Sequence, residues 1–185
     1  ARAVESHTGA LAGTDAVHDA AFARAGLLRV DGLEELFDAA EILALAKSPK
    51  GDRLAILSNG GGVAALAADE LAEQCGQLAE LSPETIEALD GILPAAWSRT
   101  NPVNILGDAD GGRYAEALRV LAAERNADGI LMLHCPTALS SADETATAVV
   151  QRSAAGHRLL LTGWIGAQGV RQARRRCAEH GLPTY

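Results

Sequence analysis

The sequence is poor in aromatic residues, with two Trp, two Tyr and two Phe in 185 positions. A core must therefore come from Ala, Leu, Val and Ile. Cysteine is scarce as well. Cys75, Cys135 and Cys177 are odd in number, far apart and contain no CxxC, which argues against a disulfide framework and fits a reduced, cytoplasmic setting. Basic charge is in deficit: 16 Lys and Arg stand against 24 Asp and Glu, a net charge of −8. That balance excludes broad electrostatic attraction to nucleic acid or to an anionic membrane. No apolar run approaches the roughly 20 residues of a membrane span. Walker A lysine, complete GxGxxG, zinc-spaced histidine pairs, fixed-period repeats and low-complexity tracts are all missing.

What is present is globular: 48% hydrophobic and 22% charged residues. The length suits one domain, or one domain plus a fragment. The chain opens on Ala1 rather than Met and reads as a piece of something larger. Residues 1–13 read as a glycine-containing loop. Thr14 reads as the N-cap of a helix over about 15–26 that stops at Gly26. Asp31 and Glu34 read as a capping box ahead of a second helix carrying Leu33, Leu36, Phe37, Ala40, Leu43 and Ala44. Residues 47–51, Lys-Ser-Pro-Lys-Gly, form the best candidate linker, dividing 1–46 from 52–185.

Beyond the linker two element types alternate. Short apolar runs at Leu54–Leu57, Leu78–Leu81, Pro102–Leu106, Gly129–Leu133 and Leu159–Thr162 predict strands. Helical stretches follow from Val63 to Gln74, from Ser82-Pro83-Glu84, through Tyr114, Ala117, Leu118 and Leu121, over Asp143–Val150 and over Val170–His180. This predicts an α/β fold: a flavodoxin-like open parallel sheet with helices on both faces.

In such sheets ligands bind beyond the carboxyl ends of the strands. Four predicted strand ends carry small or polar residues: Asn59-Gly60-Gly61-Gly62, Gly107-Asp108, His134-Cys135-Pro136 and Gly163-Trp164. Each leads to a helix N-terminus, whose N–H groups and dipole favour phosphate. Tight strand-to-helix turns would need the same glycines. His134 reads as a satisfied core histidine, and Arg171, Arg174, Arg175 and Arg176 as a solvated helix face. His7, between Ser6 and Thr8 in a glycine-flanked loop, has an imidazole able to act as a nucleophile near neutral pH. A plain exposed loop histidine is the competing reading.

Ser6-His7-Thr8-Gly9-Ala10-Leu11-Ala12-Gly13 resembles the phosphohistidine loop of ADP-forming acyl-CoA synthetases, relatives of succinyl-CoA synthetase. Further strings resemble the same family: residues 31–38, Leu57-Ser58-Asn59-Gly60-Gly61-Gly62, Asn101-Pro102-Val103-Asn104-Ile105, Leu133-His134-Cys135-Pro136 and Gly181-Leu182-Pro183-Thr184-Tyr185. The resemblance spans nearly the whole chain. It implies that residues 1–46 end one ligase domain and that 52–185 form most of a second. It implies joining of a small carboxylic acid to CoA at the expense of ATP, with ADP and phosphate released. His7 would be the catalytic phosphate carrier. Gly60, Gly61 and Gly62, together with Gly111 and Gly112, would offer backbone N–H groups to phosphate.

The resemblance places CoA, ATP and Mg on other domains of the parent, a CoA-binding domain and an ATP-grasp domain, and leaves a homo-oligomer open. No metal is expected on this segment. Asp108 and Asp110 are expected to cap a helix, since either would repel phosphate. Two alternatives stand beside this. One is a non-catalytic regulatory or interaction module of an acetyl-CoA-dependent protein lysine acetyltransferase. The other is a stand-alone phosphate-binding domain.

Overall fold

A computed structural model describes residues 14–46, 48–153 and 158–185. His7 lies outside the described residues. The chain divides into two compact units, 1–40 and 41–185. In the first, helix α1 spans Asp15–Ala25. Gly26 ends it in the left-handed conformation (φ 68°), which costs glycine nothing. Thr14 is the N-cap residue, but its side chain makes no capping bond. Arg29 folds back onto Asp15 and Asp19 of that helix. Helix α2, Leu33–Leu45, contains the division between the units. Its entry bond runs from the Asp31 N–H to Glu35, 2.8 Å, one residue later than the Glu34 read from the sequence.

The second unit runs β1 (Arg53–Ser58), α3 (Gly61–Glu73), β2 (Gln77–Leu78), α4 (Pro83–Asp90), β3 (Val103–Asn104), α5 (Gly111–Ala123), β4 (Gly129–His134), α6 (Ala142–Ser153), β5 (Leu159–Trp164), a 3-10 turn (Ala167–Val170) and α7 (Arg171–Glu179). Every strand pairing is parallel, in the order β2-β1-β4-β5, with β3 also beside β1. Parallel strands need crossovers, and the helices supply them. This is the expected flavodoxin-like α/β sheet. Beyond β5 the chain end adds ladder bonds. Thr162 N–H donates to Pro183 O, Tyr185 N–H to Thr162 O, and Trp164 N–H to Tyr185 O.

Strand alternation separates two cores. Ala55, Leu57, Ile130 and Met132 point into the larger one with Tyr114, Leu118, Leu121, Val149, Trp164 and Cys177. Leu54, Ile56, Leu131 and Leu133 point to the other face, beneath Val63, Ala64 and Ala67 of α3. Both faces are thus apolar, which explains the continuous rather than alternating strand sequences.

The strand read at Leu78–Leu81 is only two residues long. Asn101 takes over the edge of β1 there. Its Nδ2 donates to the carbonyls of Leu54 and Ala79, and its Oδ1 accepts from the Ile56 N–H. One amide side chain replaces the ladder bonds, and β3 then pairs with β1 further on. The Asn101–Pro102 peptide bond is cis.

Candidate functional site at the carboxyl-end rim

The parallel pairing brings the ends of β1, β3, β4 and β5 to one rim. Two polar side chains fasten that rim. Asn59 is 4% exposed, and its Nδ2 donates to Cys135 O at 2.8 Å while its Oδ1 accepts from Cys135 N–H at 2.7 Å. The loop after β1 is thereby tied to the loop after β4 as firmly as a strand pair would be. Tyr114, fully buried on α5, donates its hydroxyl proton to Leu133 O and accepts from the Asn59 N–H. Burial pushes its phenol well above the ordinary range, so it remains a donor. Sequence reading placed Tyr114 only as a helix-face residue. One of only two Tyr in an aromatic-poor chain was the available signal, because a buried hydroxyl needs partners.

Gly60, Gly61 and Gly62 sit where β1 passes into α3. Gly60 is the N-cap residue and no side chain caps the helix. The first turn carries no acidic residue, and its earliest backbone bond is Ala64 N–H to Gly60 O. The N–H groups of the opening turn therefore lie beyond the helical ladder, and Gly61 and Gly62 are exposed. Such an end suits an anion.

The end of α5 differs. Asp110 caps it, accepting from the Arg113 N–H at 2.8 Å, as expected from the sequence. Arg113 grips Asp108 at 2.6 and 3.3 Å and also donates to Ile105 O. That pairing holds the Asp108 carboxyl below its ordinary range. Two carboxylates thus stand at this helix start. Gly112 is exposed but Gly111 is buried against α6, where a Cβ would meet Glu144 O at 2.8 Å. Close helix approach accounts for the glycine at 111. Thr137 and Ser140 hydroxyls hold this loop by donating to Gly107 O and Ala109 O, each at 2.7 Å.

His134 is fully buried between the rings of Tyr114 and Trp164, at 5.8 and 5.3 Å, but it is not the satisfied core histidine expected, because neither ring nitrogen has a partner among aromatic neighbours. Burial lowers its pKa, so it is a neutral core residue at pH 7. Burial also raises the Cys135 thiol, which keeps it protonated and unsuited to nucleophilic attack. Arg171, Arg174, Arg175 and Arg176 are exposed on α7. Among the described residues no group of three or more His, Cys, Asp or Glu is placed to hold a metal, and no helix is long and apolar enough to cross a membrane.

The glycines at the rim are separable by substitution. A Cβ on Gly60 would lie 2.4 Å from Cys135 Sγ, whereas one on Gly62 meets nothing within 4 Å. Gly60→Ala should destabilise the fold by about 1–3 kcal/mol. Gly62→Ala should be neutral or gain up to about 1 kcal/mol from helix propensity. Urea denaturation of the pair decides; equal losses would mean that the rim relaxes freely around Gly60.

The family described as "Succinyl-CoA ligase like flavodoxin domain" matches residues 1–43. The Archaeoglobus fulgidus protein named Acetate--CoA ligase [ADP-forming] I is 37% identical over 185 residues, covering all of this chain and 26% of the relative. The Pyrococcus furiosus Acetate--CoA ligase [ADP-forming] I subunit alpha is 34% identical, over all of this chain and 40% of the relative. The chain therefore spans about a quarter to two fifths of these relatives. A solved structure, Candidatus Korarchaeum cryptofilum dinucleotide forming acetyl-coenzyme A synthetase 1 in complex with phosphate and ADP, superposes with a TM-score of 0.91. It is 28% identical, over 100% of this chain and 40% of that one. Over its full length the chain is similar to ADP-forming acyl-CoA synthetases, of which it spans a part, and it shares the parallel sheet of the solved one.

Proposed function

We propose that this chain is the ligase-domain segment of an enzyme that joins a small carboxylic acid to CoA using ATP. The observation that carries the reading is the succinyl-CoA ligase-like match over residues 1–43, which contains His7, in a chain similar throughout to ADP-forming ligases. In this reading a nitrogen of His7 takes the terminal phosphoryl group of ATP and ADP leaves. The substrate carboxylate then takes the phosphoryl group from His7, giving an acyl phosphate. The CoA thiol attacks the acyl carbon and phosphate is released.

The rim's part is electrostatic. A phosphoryl group carries roughly two negative charges, and positioned N–H groups stabilise it. The uncapped turn at Gly61 and Gly62 suits that task, whereas the Gly60 N–H, expected to serve as well, is already taken by Ser58 Oγ at 3.0 Å. Gly111 and Gly112 stand beside Asp108 and Asp110 and would contribute backbone N–H groups only with those carboxylates held aside, as Arg113 holds Asp108. CoA, ATP and Mg are assigned to parts of the parent beyond this segment, in a cytoplasmic setting. The ligase reading is favoured over an acetyltransferase module because the relatives named above carry ligase names.

The test is to incubate the full-length parent with γ-labelled ATP. An acid-labile, base-stable phosphate should appear, and His7→Ala should abolish it along with acyl-CoA formation. Equal labelling of the variant would remove His7 as carrier. Unchanged acetyl transfer to lysine by that variant would favour the acetyltransferase module.

A further inference from the structure

At the end of the sheet opposite the rim, where β4 and β5 begin, the second unit holds a cleft of about 710 Å³. That size is typical of small-molecule sites. Its walls are apolar, including Leu118 and Ala122 of α5, Ile130 of β4, Leu160 of β5 and Leu182. Its charged lining has one sign. Arg119, Arg152 and Arg158 line it, and among the described residues no Asp or Glu does, in a chain of net charge −8.

Glu116, outside the lining, serves two guanidiniums, Arg119 at 2.9 Å and Arg152 at 3.8 Å. Arg158 donates to the carbonyls of Glu124 and Ala127 at the end of α5, and so meets backbone acceptors. Glu124 and Asp128 act on it only through space. An oxyanion gains strong charge-assisted bonds from guanidinium donors, and an apolar body gains from leaving water.

We propose that this cleft binds an amphipathic anion, an apolar chain ending in a carboxylate or phosphate, at a site remote from the phosphate rim. The proposal is independent of the role assigned to His7.

The probes are decanoate, decyl phosphate and decanol, titrated calorimetrically into the full-length parent. Both anions should saturate one site, and decanol should bind at least about tenfold more weakly. The tighter of the two anions assigns the headgroup, fatty acid or phosphate monoester. Arg152→Gln should weaken both anions about tenfold and leave decanol unchanged. Leu160→Trp, which fills the cleft, should block all three probes while the melting temperature is retained. The proposal is overturned by absence of saturable binding, by decanol binding as well as decanoate, or by anion binding that neither variant alters.

Discussion

Glu124→Ala should lower the unfolding free energy by about 3–5 kcal/mol, the loss typical of breaking a buried charged network. Glu124 is only 2% exposed, at the end of α5. Burial by itself would raise its carboxyl. The backbone N–H groups of Asn126 and Ser82, each at 2.8 Å, with the Thr85 and Ser82 hydroxyls, outweigh burial and bring it down to about 2 from 4.5. Alanine would strand those donors. A folded-state pKa below the unfolded one means stability that is complete above about pH 4.5 and is lost as the pH falls toward 2. The shift corresponds to about 3 kcal/mol. Glu124→Gln keeps an acceptor oxygen but cannot titrate. Its deficit against the parent sequence should be clear at pH 7 and should shrink at pH 3 in urea titrations. An equal deficit at both values would show that the ionised carboxylate is not the source.

The second large effect is expected at the rim. Asn59→Ala should cost about 2–4 kcal/mol, since it strips partners from both the N–H and the C=O of Cys135. Asn59→Asp has the same shape but sets a carboxylate against Cys135 O, and should be destabilised comparably. Hydrogen exchange at the Cys135 amide reads the site directly: alanine should expose it, and the aspartate variant should retain its protection while losing global stability. An aspartate variant as stable as the parent sequence would mean that only one of the two bonds matters.

The central strands were legible in the sequence because they are apolar on both faces. Leu54–Leu57, Gly129–Leu133 and Leu159–Thr162 each lie inside an observed strand. Ser82-Pro83 and Asp110 also announce their helices correctly, because a cap is a local bond. The early end of β2 was not legible. It depends on Asn101, 22 residues from its partner Ala79 and 47 from Leu54. The fastening of the rim was hidden for the same reason: Asn59 and Cys135 are 76 residues apart. The glycines at 111 and 60 looked alike as phosphate cradles, yet backbone of α6 crowds the first and a cysteine side chain the second. His7 stood out by its glycine-flanked loop, its role as phosphate carrier came through resemblance, and it lies outside the described residues.

The scarcity of aromatic residues gives the molecule two built-in optical reporters near opposite edges of the sheet. Trp97 precedes β3 and donates its indole N–H to Asp90 at 2.7 Å. Trp164 ends β5, beside the His134 ring and hydrogen-bonded to Thr162. Each is almost fully buried. Replacing either by Phe leaves a single-emitter protein, so steady-state fluorescence can follow the β3 margin and the β5 margin separately without an added label.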